Sequence, residues 1–297
     1  MPRVCDYEGS QYRTEFWESQ NRQYEDLAER IALRQLLPQA GKTIIEVGAG
    51  FGRLVDLYQG YEKIVLMDYA RTQLEEAQRY LGHDDRYIFV AADIYNLPFK
   101  PHVFDALVMV RVMHHLADVP AALQGLQMLL HPQGIAVIEH ANKRHLKAVL
   151  RWLLRQQTWN PFDREPYEFV ELNFDFHPAW MRQQFAQAGF SIQEIRTVSH
   201  YRLPWLKSIV SPSVLAALDG MTQPTGRWFQ YTPSVFLQAT VNKPPLPPQI
   251  DTTSLFRCPT CHSESFQHQE AAIQCLGCHS HWSYQNGIYD FKTPQPV

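Results

Sequence analysis

The 297-residue sequence lacks the features that mark several large classes of protein. Its apolar runs are no longer than a strand, so no membrane-spanning helix is expected. The formal net charge is −3, which gives the molecule no overall positive field to attract nucleic acid. The N-terminal residues contain no apolar stretch of the kind that directs secretion, so we expect a cytoplasmic protein without a secretory signal.

Cysteine is also scarce, and its distribution is uneven. Of five cysteines, Cys5 stands alone, and the other four form the Cys-x-x-Cys pairs Cys258/Cys261 and Cys275/Cys278. An odd count with such close pairing argues against a disulfide framework and favours a metal site. Four thiolates at this spacing suit one tetrahedral zinc ion and leave no position for water. We therefore predict a structural Zn²⁺ whose binding supplies folding free energy to a C-terminal zinc ribbon.

The rest of the chain alternates short apolar runs with helical patterns. Strand-like runs at 43–47, 63–67 and 104–110 are separated by stretches in which apolar residues recur at helical spacing. This alternation predicts an α/β fold, in which a mostly parallel sheet is covered by helices on both faces. A proline-rich segment at 242–250 predicts an extended linker.

A glycine-rich turn follows the first strand-like run. Residues 46–52 read Glu-Val-Gly-Ala-Gly-Phe-Gly, with glycine at alternate positions before a helix. Glycine permits a tight turn with positive φ, and the helix that follows presents free N–H groups and the positive end of its dipole. The pattern predicts a nucleotide-like cofactor, and taken alone it could equally begin a dinucleotide site.

Acidic residues after the next two strands narrow the choice of cofactor. Asp68 ends the second strand, 22 residues after Glu46, where its carboxylate can accept hydrogen bonds from ribose hydroxyls. Asp93 follows the third strand, within reach of an adenine amino group. These segments, with Phe-Asp-Ala-Leu-Val at 104–108 and Leu-His-Pro-Gln-Gly at 130–134, resemble the class I S-adenosylmethionine (SAM)-dependent methyltransferases.

The resemblance implies a Rossmann-like, seven-stranded, mostly parallel sheet whose antiparallel last strand lies at the edge. It also implies SAM as the cofactor, with the glycine turn at its methionine end, Asp68 at the ribose, and Asp93 and Ile94 at the adenine. The predicted cofactor-binding residues are Glu46, Gly48, Ala49, Gly50, Asp68, Tyr69, Asp93, Ile94 and Arg111.

Two histidines are the candidates for the catalytic base. SAM carries an activated methyl group, so the protein must position a nucleophile and remove its proton. His114 and His115 follow the fourth strand at the carboxyl edge of the sheet, and imidazole titrates near neutral pH. The alternative is that one packs into the following helix and the other is solvated. The Asn/Asp-Pro-Pro-Tyr/Phe motif of enzymes that methylate exocyclic base amines is missing here, which argues against that substrate.

An insertion at about 142–177 begins with an amphipathic segment that contains no acidic residue between 142 and 157. Its apolar stripe comprises Leu146, Val149, Leu150, Leu153 and Leu154. Its basic face comprises Lys143, Arg144, Lys147, Arg151 and Arg155. Three interpretations are open: a lid whose basic face meets an anionic substrate, a helix in peripheral contact with a membrane that supplies lipid-like substrates, and a packed helix with solvated arginines.

The end of the cysteine-rich tail, His281 to Phe291, resembles the small zinc-ribbon activator subunits of tRNA, rRNA and release-factor methyltransferases. Residues 251–297 contain two basic and four acidic side chains, a net charge of −2. An RNA-binding ribbon would need basic residues to neutralise phosphates. We therefore expect the ribbon to dock on its own catalytic domain or on another protein, and nucleic acid is not the expected partner.

The leading hypothesis is a methyltransferase that modifies a small-molecule acceptor, anionic or lipid-like. The alternatives are a methyltransferase of RNA or of a translation factor, and a non-catalytic protein that uses the SAM fold for interactions. In the first 40 residues, Tyr12, Phe16 and Trp17 are candidates for a cover over the cofactor. The predicted organisation is a methyltransferase domain at 1–241 (N-terminal cover 1–40, insertion 142–177), the linker 242–250, and the ribbon 251–297.

Overall fold

Strands and helices alternate along the computed structural model, which describes residues 2–10, 22–243 and 254–295. The strands are β1 (Gly41–Val47), β2 (Tyr61–Asp68), β3 (Tyr87–Ala91), β4 (Phe104–Met109), β5 (Leu130–Ala141), β6 (Tyr167–Val170), β7 (Asn173–Asp175), β8 (Phe190–Val198), β9 (Ser234–Val241), β10 (Phe266–His268), β11 (Ala272–Cys275), β12 (His281–Gln285) and β13 (Ile288–Gln295). The helices are α1 (Gln23–Leu36), α2 (Arg71–Leu81), α3 (Val119–Leu129), α4 (Leu146–Leu153), α5 (Pro178–Gln187), α6 (Pro204–Ile209) and α7 (Pro212–Thr222).

Seven strands form the predicted Rossmann-like sheet, in the order β3-β2-β1-β4-β5-β9-β8. β1 to β5 pair in parallel, and β9 is antiparallel to both β5 and β8. The prediction of a mostly parallel seven-stranded sheet is confirmed, but the placement of its antiparallel strand at the edge is wrong. β9 lies inside the sheet, between β5 and β8, and its Val235, Phe236 and Leu237 are buried there.

The core lies on both faces of this sheet. Neighbouring residues of β1 face opposite sides: Ile45 packs in one cluster with side chains of α3 and α5, and Ile44 in a second cluster with side chains of α1, α2 and α7. Both isoleucines are fully buried. The two-sided burial holds the carboxyl ends of β1, β2 and β4 rigidly at one edge, where the predicted site residues lie.

The cysteine-rich tail continues the same sheet. β13 pairs in parallel with β3, so that β10-β11-β12-β13 extends the sheet to eleven strands. Next to this junction the Lys100 N–H donates to the Leu255 carbonyl at 2.9 Å, and the rings of Phe99 and Phe256 stack with centroids 6.0 Å apart. The ribbon therefore docks on its own chain and covers a strand edge that would otherwise expose unpaired backbone groups.

Some expectations fall outside the described ranges. Tyr12, Phe16 and Trp17 lie there, and so does most of the proline-rich linker. Among the described residues, no helix has the length and apolar character needed to cross a bilayer.

Candidate cofactor, acceptor and zinc sites

The glycine-rich turn lies at the carboxyl end of β1, and its shape depends on its glycines. Gly48, Gly50 and Gly52 have φ values of 73°, 53° and 78°, in the left-handed region that other residues rarely adopt. A Cβ atom on Gly48 would lie 2.1 Å from a methyl group of Val112, so a larger residue would not fit. The turn is tied to β2, because the Gly48 N–H donates to the Met67 carbonyl at 2.8 Å.

A cavity opens beside this turn at the carboxyl ends of β1, β2 and β4. Six of the nine predicted cofactor residues line it: Gly48, Gly50, Asp68, Tyr69, Ile94 and Arg111. Glu46, Ala49 and Asp93 are not part of the lining. Residues from four separate chain segments thus converge on one space, as a SAM site would require.

Asp68 fixes the shape of this cavity. One carboxylate oxygen accepts from the Gly50 N–H at 2.8 Å, and the other accepts from the Ala70 N–H at 2.9 Å. Burial raises the pKa of Asp68 to about 6 in spite of these bonds. The carboxylate therefore holds the glycine turn against the end of β2 and still borders the cavity.

Glu46 faces the protein interior and not the cavity. It is 4% exposed, and burial raises its pKa to about 8, with Arg53 the main charge that opposes this shift. Arg53 in turn donates to Glu29 at 2.8 Å. Alternation along β1 explains the orientation, since Glu46 shares the face of Ile44 and points away from the face of Ile45.

A cover over the cavity comes from residues 2–10, which lie within the predicted N-terminal cover at 1–40, although none of the cover residues named from the sequence is among them. Val4, Cys5 and Tyr7 line the cavity. The Glu8 carboxylate accepts from the backbone N–H of Arg71 at 2.7 Å and caps the start of α2. The sequence held one signal for this contact: α2 has no capping side chain and no acid in its first turn, so its N–H groups need an acceptor from elsewhere.

A second and larger cavity, of about 1460 Å³, adjoins the first, and Arg111 lines both. Pockets for drug-sized ligands are typically about 300–1000 Å³. The walls of the second cavity come from α4 and the β6–β7 hairpin, from the segment 199–208 and from the segment 225–234. They combine apolar side chains such as Leu150 and Phe229 with basic ones such as Arg151.

Arg111 stands between the two cavities in a strained conformation. Its φ is 61°, which is unusual for a residue with a long side chain. The Arg111 N–H donates to the Glu139 carboxylate at 2.9 Å, and its guanidinium pairs with Glu29. Such strain persists where surrounding contacts enforce it, and it is common in binding sites.

The two candidate bases, His114 and His115, border different cavities. His115 borders the cofactor cavity, and both of its ring nitrogens lie 3.0 Å from a partner: Nδ1 from the Leu172 carbonyl and Nε2 from the Tyr7 hydroxyl. Since a carbonyl only accepts, Nδ1 carries the proton and Nε2 accepts from Tyr7. His115 therefore has no free nitrogen to act as a base, and it holds the N-terminal cover in place.

His114 borders the larger cavity, and its Nδ1 is buried with no hydrogen-bond partner among the described residues. Burial is the main cause that lowers the pKa of His114 well below its usual value, followed by the charges of His115 and Arg111. Its ring is therefore neutral at pH 7, as a base must be. Both histidines are partly buried, so neither is the freely solvated ring of the alternative interpretation.

The four tail cysteines form a cluster that suits zinc. Their Sγ atoms all lie within 4.8 Å of one another, with the closest pairs at 3.5 Å (Cys261 to Cys275) and 3.7 Å (Cys258 to Cys278). A disulfide would bring two sulfurs to about 2.05 Å. Zn–S bonds of about 2.3 Å in a tetrahedron place the sulfurs about 3.8 Å apart. The geometry therefore fits a structural zinc ribbon.

One ribbon residue contacts a wall of the cofactor cavity. The Lys292 ammonium of β13 lies 5.2 Å from the centre of the Tyr69 ring, which lines the cavity, and 3.8 Å from the carboxylate of Glu8. The ribbon thereby touches a cavity wall and the anchor of the cover.

We expect Lys292→Met to weaken binding of S-adenosylhomocysteine by about fivefold, because an exposed cation–π contact and a surface ion pair each contribute at most about 1 kcal/mol. Lys292→Arg should retain the affinity, since it keeps the charge. Calorimetric titration of the three proteins measures the effect, and equal affinities would show that this contact does not support the cavity.

Comparison with known proteins defines the class. Residues 45–138 match the family model described as a methyltransferase domain. A chain from the complex between the Haloferax volcanii Trm112 methyltransferase activator and a methyltransferase has the same fold, with a TM-score of 0.55, 16% identity, and coverage of 78% of this chain and 96% of that chain. The protein is a SAM-dependent methyltransferase with a C-terminal cysteine cluster that fits a zinc ribbon.

Two curated proteins are similar in sequence. Demethylmenaquinone methyltransferase from Clavibacter sepedonicus is 26% identical over 184 residues, which cover 56% of this chain and 72% of the relative. The enzyme from Thermosynechococcus vestitus named 2-phytyl-1,4-naphtoquinone methyltransferase is 29% identical over 129 residues, 40% of this chain and 56% of the relative.

Proposed function

We propose that this methyltransferase modifies a lipid-like small molecule with a polar or anionic head group, bound in the larger cavity. The observation that carries the proposal is the junction of the two cavities at Arg111, with apolar and basic side chains together around a space of about 1460 Å³. The names of both curated relatives state quinone acceptors, which are molecules of this kind. A quinone in its reduced form is our first candidate for the acceptor.

In this proposal the cofactor lies against the glycine turn. The backbone of Gly48, Ala49 and Gly50 would border its methionine end, and the Asp68 carboxylate would accept from the ribose. Tyr69 and Ile94 would surround the ribose and adenine, and Asp93 would act indirectly, by holding the backbone of Tyr95 at the cavity wall. Arg111 would separate cofactor from acceptor. Glu46 would also act indirectly, by holding Arg53 behind the turn. When bound, SAM supplies the activated methyl group.

The chain's own contribution to the reaction is to orient the acceptor, exclude water and take a proton. We propose that the His114 ring, which borders the larger cavity, removes the proton from the acceptor as the new bond to the methyl group forms. The basic side chains Lys147 and Arg151 would hold an anionic head group. His115, whose ring centroid lies 4.0 Å from that of His114, would not act as the base, because its nitrogens are committed to Leu172 and Tyr7.

The ribbon is proposed to be a structural domain at 251–297, joined by the linker 242–250 to a methyltransferase domain at 1–241. Its pairing with β3 supports docking within the chain over docking on a protein partner. An RNA substrate is not favoured, because the tail carries a net charge of −2. A non-catalytic role is not favoured either, because a cavity of about 120 Å³ lies beside the glycine turn.

His114→Ala is expected to lower kcat for methyl transfer to a short-chain naphthohydroquinone in detergent by about 10²–10⁴-fold, the usual contribution of a general base. Incorporation of label from methyl-labelled SAM measures the rate. The wild-type rate should stay constant around the ordinary histidine pKa of about 6.5 and fall only in more acidic solution, because burial lowers the pKa of His114.

The control is His83→Ala, since the His83 side chain is 89% exposed on a distant loop. Unchanged activity of His114→Ala would remove this residue from the mechanism. Failure of the wild-type protein to methylate the hydroquinone, with SAM binding intact, would overturn the proposed acceptor.

A further inference from the structure

The mouth of the larger cavity is ringed by exposed apolar side chains. Of the nineteen large apolar side chains that are exposed among the described residues, ten lie in the segments 146–154, 203–209 and 228–231, which we call the rim. Ile209 is 72% exposed and Trp228 is 71% exposed. Monomeric proteins rarely leave so much contiguous apolar surface in water without a binding role.

The exposure of α4 argues against one of the three interpretations of the basic insertion. Leu150, Leu153 and Leu154 are about half to two-thirds exposed, and Ala148 is the residue that α4 buries. The packed-helix interpretation is therefore wrong. The apolar stripe of this helix faces outward, where a packed helix would face the core.

The three segments meet around the larger cavity. The Leu146 N–H donates to the Tyr231 carbonyl at 2.7 Å, and the Arg144 guanidinium lies 5.3 Å from the centre of the Tyr231 ring. Leu146 and Tyr231 also line the larger cavity, together with Leu203 from the third segment. The rim is thus the entrance to the acceptor cavity.

The rim carries basic side chains, although the protein as a whole has a negative net charge. No Asp or Glu occurs in 142–157, 198–218 or 220–241, although the whole chain has a net charge of −3. Exposed cations without an ion pair among the described residues stand in the rim, at Lys147 and Arg151, and one residue outside its segments, at Arg155 and Arg227. Glu25, which borders the cavity, is already paired with Lys207 and Arg202.

We propose that the rim is a docking surface for an anionic lipid bilayer. Amphipathic segments with basic residues beside Leu and Trp side chains lie in the interface of such membranes, where the cations meet anionic head groups. A second copy of this chain is a poorer occupant, because it would oppose unpaired cations with the same cations. Charge complementarity therefore favours an anionic bilayer over a second copy of the chain as the occupant of the rim.

The inference deepens the proposed function and rests on it in one respect, namely that the acceptor is lipid-like. The cavity mouth would then face the membrane, and an amphiphilic acceptor could pass from the bilayer to the base without crossing water. Transfer from water would instead expose its apolar tail, at a cost of about 0.8 kcal/mol per CH₂ group. Membrane binding itself depends only on the side chains of the rim and not on the identity of the acceptor.

Co-sedimentation with vesicles tests the docking surface. The full zinc-loaded chain is mixed at low salt with vesicles made of equal amounts of phosphatidylcholine and phosphatidylglycerol. We expect the protein to bind these vesicles and to bind pure phosphatidylcholine much more weakly. The double variants Arg155→Glu/Arg227→Glu and Leu153→Ser/Ile209→Ser should each lose about tenfold in affinity. None of these four residues lines the cavity.

The matched control is Met128→Ser, because Met128 is 47% exposed but lies on α3, away from the rim. It should bind vesicles as the wild type does. Absence of vesicle binding, equal binding by the rim variants, or a dimer in solution that the rim variants abolish would each overturn the proposal.

The same proteins separate this inference from the proposed function. Methylation of the short-chain acceptor in detergent should be unchanged in both rim variants. If vesicles do not bind and that methylation persists, the docking surface fails alone. If vesicles bind and no hydroquinone is methylated, the proposed acceptor fails and membrane docking stands.

Discussion

Replacing Asp68 by alanine is expected to weaken binding of S-adenosylhomocysteine by about 10- to 100-fold. The carboxylate accepts from the N–H groups of Gly50 and Ala70, and the variant would leave both donors without a partner beside the cavity. Charge-assisted hydrogen bonds contribute about 1.5–3 kcal/mol each, so loss of the ribose contact and of the turn geometry gives an effect of this size. Calorimetric titration measures it.

The matched control for this variant is Asp85→Ala, because the Asp85 side chain is 97% exposed and lies at the far end of α2. It should bind the ligand as the wild type does. The thermal midpoint without ligand should be measured for both, so that loss of binding is not confused with loss of folding. A change of affinity below about twofold in folded Asp68→Ala would contradict the assigned role.

Removal of zinc is expected to unfold the ribbon and to expose part of the methyltransferase core. Structural zinc contributes about 10–16 kcal/mol in zinc-finger peptides, and a tail of this size has too few apolar residues to fold without it. Trp282 and Phe291 belong to the same core cluster as Phe104, so their release should shift the emission of Trp282 to longer wavelength. Amides of β13 should then exchange rapidly with solvent.

Metal analysis and hydrogen exchange of wild type, Cys275→Ser and Cys5→Ser measure this effect. We expect one zinc per chain in the wild type and in Cys5→Ser, since Cys5 lies at the cofactor cavity and outside the cysteine cluster. Cys275→Ser should lose the metal and the protection of β13. A folded tail with far less than one zinc per chain would refute the zinc assignment.

The features that could be predicted from the sequence are those encoded by short local motifs. The glycine turn, Asp68 and each Cys-x-x-Cys pair are encoded within a few residues, so their geometry follows from one turn or one strand end. Alternation along β1 also predicts that Ile45 and Glu46 face opposite sides of the sheet, as they do in the structure.

Contacts between distant segments account for what could not be predicted. The cover depends on Glu8 meeting the start of α2, and its position relative to His115 requires the whole fold. The interior place of β9 depends on how the chain between β8 and β9 returns to the sheet. Pairing of β13 with β3 joins residues about 200 positions apart, and no periodicity within either strand specifies that partner.

The parallel pairing of β13 with β3 also has a quantitative consequence for assembly. A ribbon on a separate chain would bind at a concentration set by expression and would dissociate on dilution. A ribbon joined by a short linker experiences an effective concentration on the order of millimolar, whatever the amount of protein present. The docked state of this ribbon is therefore governed by zinc supply and not by the abundance of a partner subunit.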